Sequence, residues 1–322
     1  MSLPFDLAGK RIWVAGHRGM VGSAVVRRLA RENVGEILVA PRDKVDLTRQ
    51  AQVEDWVAAA RPDVVVLAAA RVGGIAANAA RPVDFLHDNL MIEANIMAAS
   101  AAAKVSKLLF LGSSCIYPKF ADQPIVEEAL LTGALEPTNQ WYAVAKIAGI
   151  KLAEAYREQY GLDFISAMPT NLYGPGDNYD LESSHVIPAL LRKAVAARDS
   201  GDANMMVWGT GTPRREFMHV DDLADALVFV LKNYSQAAHI NVGSGSDVTI
   251  AELAATVADV VGYKGGLAFD TSRPDGTPRK LMDGAKLAAM GWSPRIGLRE
   301  GLADAYAHLQ RDMAARSGAA RA

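Results

Sequence analysis

Short, continuous apolar runs alternate with segments of helical spacing, and this alternation constrains the fold more than any other feature of the chain. Four runs each have the length of one strand: RIWVAG (11–16), EILVA (36–40), DVVVLAAA (63–70) and KLLFLGSS (107–114). Helical spacing lies between and after them, over residues 20–32, 48–61, 89–104 and 141–160. Strands that are apolar on both faces are typical of parallel sheets covered by helices on each side. The sequence therefore predicts an α/β, doubly wound parallel-sheet Rossmann fold.

The alternation of apolar runs and helical spacing becomes less regular after residue 170. The segment NLYGPGDNYDLESSH (171–185) is rich in Gly, Pro, Asn, Asp and Ser, which predicts a loop. A helix over 185–199 and a short strand in MMVWG (205–209) follow. Thr249, with Glu252 three residues later, predicts the capped start of a further helix. This part of the chain is expected to build a smaller α+β lobe.

Composition narrows the classes of function. The formal net charge of −2 gives no electrostatic footprint for nucleic acid. No apolar run approaches the roughly 18 residues that a membrane span needs, and MSLPFDLAGKR lacks the apolar core of a signal peptide. The single cysteine, Cys115, excludes an intrachain disulfide and fits a reducing compartment. We expect a cytoplasmic protein without a membrane or nucleic-acid partner, and no metal site, since no ligand cluster stands out.

The segment GHRGMVG follows the first predicted strand and enters the first predicted helix. Glycines at this point allow a tight turn and let the backbone approach a diphosphate at the helix N-terminus. A turn that serves only packing is the alternative. The predicted cofactor residues of this turn are Gly16, His17, Arg18, Gly19, Met20, Val21 and Gly22.

The end of the second strand bears on which dinucleotide binds. An acid usually stands there in an NAD site, whereas LVAPRDK presents Arg42 as its first charged residue. Arginine suits a 2′-phosphate, so NADP(H) is the expected cofactor, although Arg42 could be only an exposed loop residue. Asp46, beside Leu47, is the candidate contact of the adenine amino group. The ends of the fourth and fifth strands complete the predicted cofactor site: Leu111, Gly112, Ser113, Ser114, Pro169, Thr170, Asn171 and Leu172.

The segment YAVAK places Tyr142 and Lys146 four residues apart, on one face of a predicted helix. An ammonium beside a tyrosine is expected to lower the pKa of the phenol, which could then donate a proton to a carbonyl oxygen that is being reduced. Ser113, at the carboxyl end of a strand, could hold the same oxygen. A surface pair on an amphipathic helix is the alternative.

Eight segments together resemble the extended short-chain dehydrogenase/reductases, and within them the 3,5-epimerase-4-reductases of nucleotide sugars. They span nearly the whole chain: AGHRGMVGSA, AAARVGGI, LGSSCIYPK, LEPTNQWYAVAKIAGIKL, MPTNLYGP, SHVIPALLRK, VWGTGTPRREFMHVDD and PDGTPRK. The resemblance implies a catalytic triad of Ser113, Tyr142 and Lys146, NADPH as cofactor, a GDP-sugar substrate and a homodimer. Lys146 and His185 are implied as cofactor contacts too. In a homodimer, the helices over 89–104 and 141–160 would suit a four-helix bundle.

The resemblance also implies that Cys115 and His185 form an acid–base pair. A ketone at C4 of a hexose acidifies the protons at C3 and C5, and the groups that polarise the ketone also stabilise the enolate. A thiol and an imidazole titrate near neutrality, so the pair could invert both carbons before reduction. Which of the two is base stays open. Without the resemblance, Cys115 would be interpreted as a buried side chain and His185 as a cap or surface group.

Basic residues after position 185 are candidates for the two phosphates of a sugar nucleotide: Arg192, Lys193, Arg214 and Arg215. The resemblance favours Lys193 and Arg215, and matches Asp275 to a substrate contact. Trp208 could cover the guanine or ribose, or lie in the core. His219 is expected to be structural.

The expected division of the chain is an NADP-binding Rossmann domain of 1–172 with 217–243 and a substrate-binding lobe of 173–216 with 244–322. The expected activity is epimerisation at C3 and C5 of a GDP-4-keto-6-deoxy sugar, followed by reduction at C4. Another nucleotide-sugar epimerase or reductase is the nearest rival, and a non-catalytic NADP(H) sensor is the rival from a different class. A 4,6-dehydratase is disfavoured, because no carboxylate follows Ser113.

Overall fold

The computed structural model describes residues 4–180, 183–273 and 275–319. Its strands, in chain order, are β1 Arg11–Ala15, β2 Glu36–Leu38, β3 Val64–Leu67, β4 Lys107–Leu111, β5 Phe164–Pro169, β6 Asn171–Tyr173, β7 Asn204–Trp208, β8 Arg214–His219, β9 Ile240–Val242, β10 Asp247–Thr249, β11 Gly266–Asp270 and β12 Arg279–Lys280. Its α-helices are α1 Met20–Leu29, α2 Gln50–Ala60, α3 Ile75–Ala80, α4 Asn89–Ala102, α5 Gln140–Tyr160, α6 Val186–Ser200, α7 Val220–Asn233, α8 Ile250–Val261, α9 Ala285–Ala289 and α10 Leu298–Ala319. Across these described residues no helix is both long and apolar enough to cross a membrane.

The main sheet has six strands in the order β2-β1-β3-β4-β5-β9, and every neighbouring pair runs parallel. All residues of β3 and β4 are buried, as expected for strands that are covered on both faces. The strand order reverses beside β1, where open α/β sheets bind their ligands at the carboxyl ends of the strands. The predicted doubly wound Rossmann fold is confirmed.

Helices cover the two faces of this sheet with separate apolar cores. On one face α1 and α7 contribute Val25 and Leu227, both fully buried. On the other face α2, α4 and α5 contribute Val53, Ile96 and Ile150, also fully buried. Burial of each such aliphatic side chain contributes about 1.5–3 kcal/mol. The two cores fix the strand ends, and therefore the loops that carry the candidate site.

A third core lies outside the main sheet, between α6, α8, α10 and β7, with Leu191, Val207, Leu253 and Leu302 at its centre. Strand β8 pairs with β10, β12 and β6 in a small sheet, and β11 pairs with β7. The predicted helix start at Thr249 is confirmed: its hydroxyl accepts a hydrogen bond from the Glu252 amide at 3.0 Å, while the Glu252 carboxylate accepts one from the Thr249 amide at 2.7 Å.

The loop predicted over 171–185 is wrong at its first three residues, which form β6. This strand pairs in parallel with Phe217–His219 of β8. The turn-forming residues of this segment favour a loop, but β8, 46 residues further along the chain, supplies the backbone hydrogen bonds of a strand. Such pairing depends on tertiary structure and leaves no local periodicity in a strand of three residues.

Candidate active site

The turn between β1 and α1 brings its glycines into close contact. Gly16 has a φ of +91°, a conformation that residues with a Cβ rarely adopt. A Cβ on Gly22 would lie only 2.1 Å from the carbonyl oxygen of Gly16. Gly19 is the N-cap residue of α1, and no side chain caps this helix. The backbone therefore forms a cradle that side chains would fill, with the N–H groups of the first helical turn directed to its open side, and it fits a dinucleotide diphosphate.

Two arginines lie near the end of β2, beside this cradle. Arg42 is exposed in the loop after the strand. Arg18 forms an exposed ion pair with Asp43, at 3.8 Å between Arg18 Nη1 and Asp43 Oδ1. Exposed pairs contribute little stability, so this one does not prevent Arg18 from meeting a phosphate. Asp46 accepts hydrogen bonds from the amide and hydroxyl of Thr48, at 3.0 and 2.8 Å, which lower the pKa of its carboxyl.

The other predicted cofactor residues occupy the carboxyl ends of β4 and β5, which are neighbours in the sheet. A Cβ on Gly112 would overlap the sulfur of Met168 at 2.2 Å, so glycine lets these two strand ends meet. Thr170 Oγ1 and Asn171 Nδ2 both donate hydrogen bonds to the carbonyl oxygen of Glu216, at 3.3 and 2.8 Å. These bonds connect the end of the main sheet to β8 of the small sheet.

Ser113, Tyr142 and Lys146 meet at this same edge. Ser113 follows β4, while Tyr142 and Lys146 lie one helical turn apart near the start of α5. The Ser113 hydroxyl lies close enough to Tyr142 to lower the pKa of its phenol. Lys146 Nζ lies 5.8 Å from the centre of the Tyr142 ring. The structure therefore brings the three predicted triad residues together.

The expected direction of the Tyr142 pKa is wrong. Burial raises the pKa of this phenol well above its usual value, and negative charge at Cys115 and Glu93 raises it further. The Ser113 hydroxyl acts in the opposite direction but does not prevail. Tyr142 is thus held as a neutral phenol, which is the form that donates a proton.

Cys115 lies in a short 3-10 turn, Ser114–Ile116, directly after β4. Its residue is 6% exposed, and burial raises the pKa of the thiol. The charge of Lys280, on β12, is the largest influence in the opposite direction, followed by the Ser113 hydroxyl and the charge of Lys146. The predicted cysteine is therefore beside the triad, and also beside a cation that stabilises its thiolate.

His185 is the N-cap residue of α6, but its side chain does not cap the helix. The alternative interpretation of this histidine as a cap is therefore wrong, whereas its interpretation as a surface group agrees with the residue, which is exposed although its imidazole is partly desolvated. The preceding segment is tied to the turn before α3, because the Gly74 amide donates a hydrogen bond to the Ser183 carbonyl at 3.0 Å. A Cβ on Gly74 would lie 2.7 Å from the carbonyl oxygen of Ser184, so this contact also depends on glycine.

The pKa values of Cys115 and His185 move in opposite directions. Burial lowers the pKa of the His185 imidazole and raises that of the Cys115 thiol. At neutral pH these directions favour a protonated thiol and a neutral imidazole. A thiol can donate a proton and a neutral imidazole can accept one, so the two residue types together offer an acid and a base. Within the described residues no hydrogen bond joins the two side chains.

An exposed tryptophan marks the second half of the site. Trp208 ends β7 and is 52% exposed, so its interpretation as a core residue is wrong. Lys193 Nζ lies 4.3 Å and Arg273 Cζ 4.9 Å from the centre of its ring. Burial and the charge of Arg273 lower the pKa of Lys193. An aromatic surface between two cations suits a ligand with a planar base and phosphates.

The remaining basic candidates differ in their surroundings. Arg214 is held by Asp247, at 2.8 Å from Arg214 Nε to the carboxylate, and so serves the small sheet. Burial lowers the pKa of Arg215, whose guanidinium faces the charge of Asp275. Asp275 accepts hydrogen bonds from the Thr210 amide and hydroxyl at 3.0 and 2.7 Å. Among the described residues Arg192 has no partner that would decide its role. Lys193, Trp208, Arg215 and Asp275 are kept as candidates.

His219 is structural, as predicted. It is 2% exposed, accepts a hydrogen bond from the Asp221 amide at 3.3 Å, and lies 3.2 Å from the carboxylate of Asp304. Its ring packs edge-on against Tyr173, with 5.5 Å between ring centres. These contacts fix the start of α7.

Two residues near the site were not predicted. Lys280 faces Cys115 from β12, and Glu93 of α4 pairs with Lys146. Lys280 is the last residue of PDGTPRK, a segment that the sequence singled out for Asp275 alone. Glu93 is the one charged residue within NLMIEANIM, and a lone charge on an otherwise apolar helix was a signal for a buried partner.

Comparison with known proteins gives the chain a family context. The sequence pattern of the NAD-dependent epimerase/dehydratase family matches residues 12–243. A GDP-L-fucose synthase of Sinorhizobium fredii is 60% identical over 300 residues, which are 93% of this chain and 95% of that protein. The GDP-L-fucose synthase of Escherichia coli K12 is 53% identical over 309 residues, 93% of this chain and 96% of its own.

Solved structures agree with this context. A GDP-L-fucose synthetase of Naegleria fowleri, bound to NADP, superposes with a TM-score of 0.90 at 27% identity, covering 97% of this chain and 98% of that one. A GDP-6-OMe-4-keto-L-xylo-heptose reductase of Campylobacter jejuni superposes with a TM-score of 0.89 at 34% identity, covering 96% of this chain and 99% of that one. The similarity thus includes both the main sheet and the third core.

Proposed function

Because the chain belongs to the NAD-dependent epimerase/dehydratase family, we propose that it converts GDP-4-keto-6-deoxy-D-mannose to GDP-L-fucose. The sugar is epimerised at C3 and C5, and the C4 ketone is then reduced with NADPH. The observation that carries this proposal is the position of Cys115 in the turn after Ser113, beside Tyr142. A reductase alone needs only the triad; the added thiol supplies the acid–base group that epimerisation requires.

The epimerisation depends on the polarised ketone. Ser113 and Tyr142 both present a hydroxyl to the substrate oxygen, and these donors stabilise the negative charge that forms there when a C3 or C5 proton leaves. Cys115 and His185 remove that proton and return one on the opposite face, one residue acting as base and the other as acid. The same oxygen contacts therefore serve both halves of the reaction.

The reduction ends with proton transfer from the neutral phenol of Tyr142 to the C4 oxygen. NADPH supplies the hydride when it is bound. The glycine turn from Gly16 to Gly22 would hold its diphosphate, Arg42 its 2′-phosphate, and the ends of β4 and β5 its nicotinamide side. Lys146, one helical turn from Tyr142, would bond the cofactor ribose.

The substrate is held by the lobe that contains Trp208. In this proposal Trp208 covers the guanosine, Lys193 and Arg215 neutralise the two phosphates, and Asp275 bonds a hydroxyl. Residues 1–172 with 217–243 then form the NADP-binding domain, and 173–216 with 244–322 the substrate lobe. The return of the chain to the main sheet at β9 supports this division.

We also propose a cytoplasmic homodimer. Trp141 and Val144 of α5 are 41% and 42% exposed, which is unusual for large apolar side chains so close together on one helix. A second copy could cover them through α4 and α5, and the free thiol of Cys115 suits a reducing compartment. Light scattering coupled to gel filtration tests the dimer: a monomeric mass would contradict it.

The activity is tested with purified protein and GDP-4-keto-6-deoxy-D-mannose in D₂O. Wild type should oxidise NADPH and yield GDP-L-fucose that carries deuterium at C3 and C5. Cys115→Ser should stop exchange or divert reduction to an unepimerised sugar. Tyr142→Phe is the comparison variant: it removes the proton donor for reduction and one of the two enolate donors, but leaves Cys115 and the Ser113 hydroxyl in place, so reduction should be lost while exchange slows and continues. A wild type without NADPH oxidation or exchange would refute the proposed function.

A further inference from the structure

A carboxylate is buried beside the lysine of the triad. Glu93 Oε1 on α4 lies 2.9 Å from Lys146 Nζ on α5, and both side chains are 2% exposed. Apart from this pair, neither oxygen of Glu93 has a hydrogen-bond partner in the described part of the chain. A single charge buried this deeply costs much free energy of folding. Removal of one member of a buried ion pair therefore destabilises a protein more than replacement of both members by apolar side chains. Burial raises the pKa of the Glu93 carboxyl and the Lys146 ammonium lowers it, so the carboxylate depends on the ammonium for its charge.

The helix α5 is shaped to receive this carboxylate. Gly149 lies in the interior of α5, where glycine costs about 0.5–1 kcal/mol relative to alanine. A Cβ at this position would lie 2.6 Å from Glu93 Oε2 and 2.4 Å from Phe110 Cζ. Lys146 Nζ also lies 4.6 Å from the centre of the Phe110 ring. The ammonium is thus fixed between a carboxylate and an aromatic face, and a weaker helix former makes room for the arrangement.

Charged and titratable groups from several elements lie near Tyr142. Negative charge at Cys115, in the turn after β4, and at Glu93, on α4, acts on its hydroxyl. Lys146 on α5 lies beside its ring, and Lys280 on β12 acts on Cys115. The negative charge of Glu93 raises the pKa of Tyr142. An ammonium at Lys146 without a partner would act in the opposite direction. The ion pair therefore decides how much of the lysine's charge the phenol experiences.

From this geometry we propose that Glu93 is a positioning residue for the reduction. It fixes the Lys146 ammonium beside Tyr142 and offsets its positive charge, so that Tyr142 keeps the proton that it donates to the substrate. The role in reduction rests on the proposed function, whereas the charge arrangement is a property of the folded chain alone.

The first test needs no substrate. Wild type and Glu93→Gln are titrated by tyrosinate ultraviolet absorbance, each against the same protein with Tyr142→Phe, so that the difference reports Tyr142. Glu93→Gln keeps the shape of the side chain and removes its charge, and the Tyr142 midpoint should fall by about one pH unit. The proposal is overturned if the Tyr142 midpoint does not fall in Glu93→Gln. It is also overturned if Tyr142 ionises in neither protein before alkaline unfolding. Glu154→Gln is the matched control, since it removes a carboxylate from α5 that pairs with Lys151.

The second test follows NADPH oxidation against pH. Activity that needs a protonated Tyr142 is lost as the pH rises through the pKa of this group, so the alkaline limb should move down in Glu93→Gln by the same amount. Glu93→Asp keeps the charge and should keep the wild-type limb, at a lower rate. A lower rate in Glu93→Gln with an unchanged limb means a purely structural role and overturns the proposal.

The two tests separate the two proposals. If wild type does not oxidise NADPH with this substrate, the proposed function fails, and the titration still decides the charge arrangement. If Glu93→Gln does not fold, as judged by circular dichroism, Glu93→Asp carries the titration: a wild-type midpoint supports the proposal, and a lowered midpoint overturns it.

Discussion

Substitution of Gly22 by alanine should destabilise the protein, although helix propensity alone predicts the reverse. Gly22 is the third residue of α1, where alanine would be favoured by about 0.5–1 kcal/mol. In the fold, however, its Cβ would lie 2.1 Å from the Gly16 carbonyl oxygen, 2.6 Å from the Gly16 carbonyl carbon and 2.9 Å from the Cα of His17. All three are backbone atoms, so no side chain can rotate away.

The size of the effect follows from these contacts. Overpacking of a rigid site costs about 1–3 kcal/mol, and contacts this short with backbone place Gly22→Ala at the upper end. After the gain in propensity, we expect a net loss of about 2 kcal/mol in the free energy of unfolding. The turn must also open, which moves the N–H groups of the first helical turn out of the cradle, so NADPH affinity should fall at least about tenfold.

Gly19→Ala is the matched control, because a Cβ there meets only the Gly16 carbonyl oxygen, at 3.4 Å, and needs no positive φ. Urea unfolding gives the stability of each variant, and NADPH fluorescence gives the affinity. Gly19→Ala should remain within about 0.5 kcal/mol of wild type, as surface substitutions usually do. A Gly22→Ala protein with wild-type stability and wild-type NADPH affinity would refute the steric argument.

Three further predictions concern charge. Arg42→Ala should raise the KM for NADPH about tenfold and leave that for NADH nearly unchanged, since only NADPH carries the 2′-phosphate; equal effects on both would contradict the role. Lys280→Met should move the pH profile of Cys115 alkylation to higher pH, because the charge of Lys280 stabilises the thiolate. The rate of iodoacetamide labelling of this lone cysteine measures the profile directly. An unmoved profile would show that the two groups are uncoupled. Burial lowers the pKa of His239 to about 4, so its neutral form is part of the fold, with its Nε2 2.9 Å from the Tyr117 hydroxyl. The pKa of His239 is lower in the folded than in the unfolded protein, so its contribution to the free energy of unfolding is complete above pH about 6.5 and is lost towards pH about 4, by up to about 3 kcal/mol. In His239→Gln, urea unfolding should show a weaker dependence of this free energy on pH. An equally steep dependence would exclude this histidine as its cause.

The local pattern of the chain predicted most of the main sheet and the composition of the site. Apolar runs of strand length and helical spacing are properties of neighbouring residues, so β1, β3, β4 and the helices between them could be predicted directly. The glycines after β1 and the spacing of Tyr142 and Lys146 are local as well. Cys115 and His185 needed the resemblance to a family, because neither stands in a pattern that by itself distinguishes catalysis from packing.

Other features of the site depend on residues that are distant in sequence. Strand β6 exists because β8 supplies its hydrogen bonds, and Lys280 meets Cys115 because β12 pairs beside β8. The pKa of Tyr142 rises because the side chain is buried and because negative charge at Cys115, and at Glu93 on another helix, acts in the same direction. The sequence by itself determined which chemical groups the chain contains, and the spacing of its residues determined which neighbours share a helix face. Only the tertiary structure decided their charge states, since these depend on burial and on the distances between elements that folding brings together.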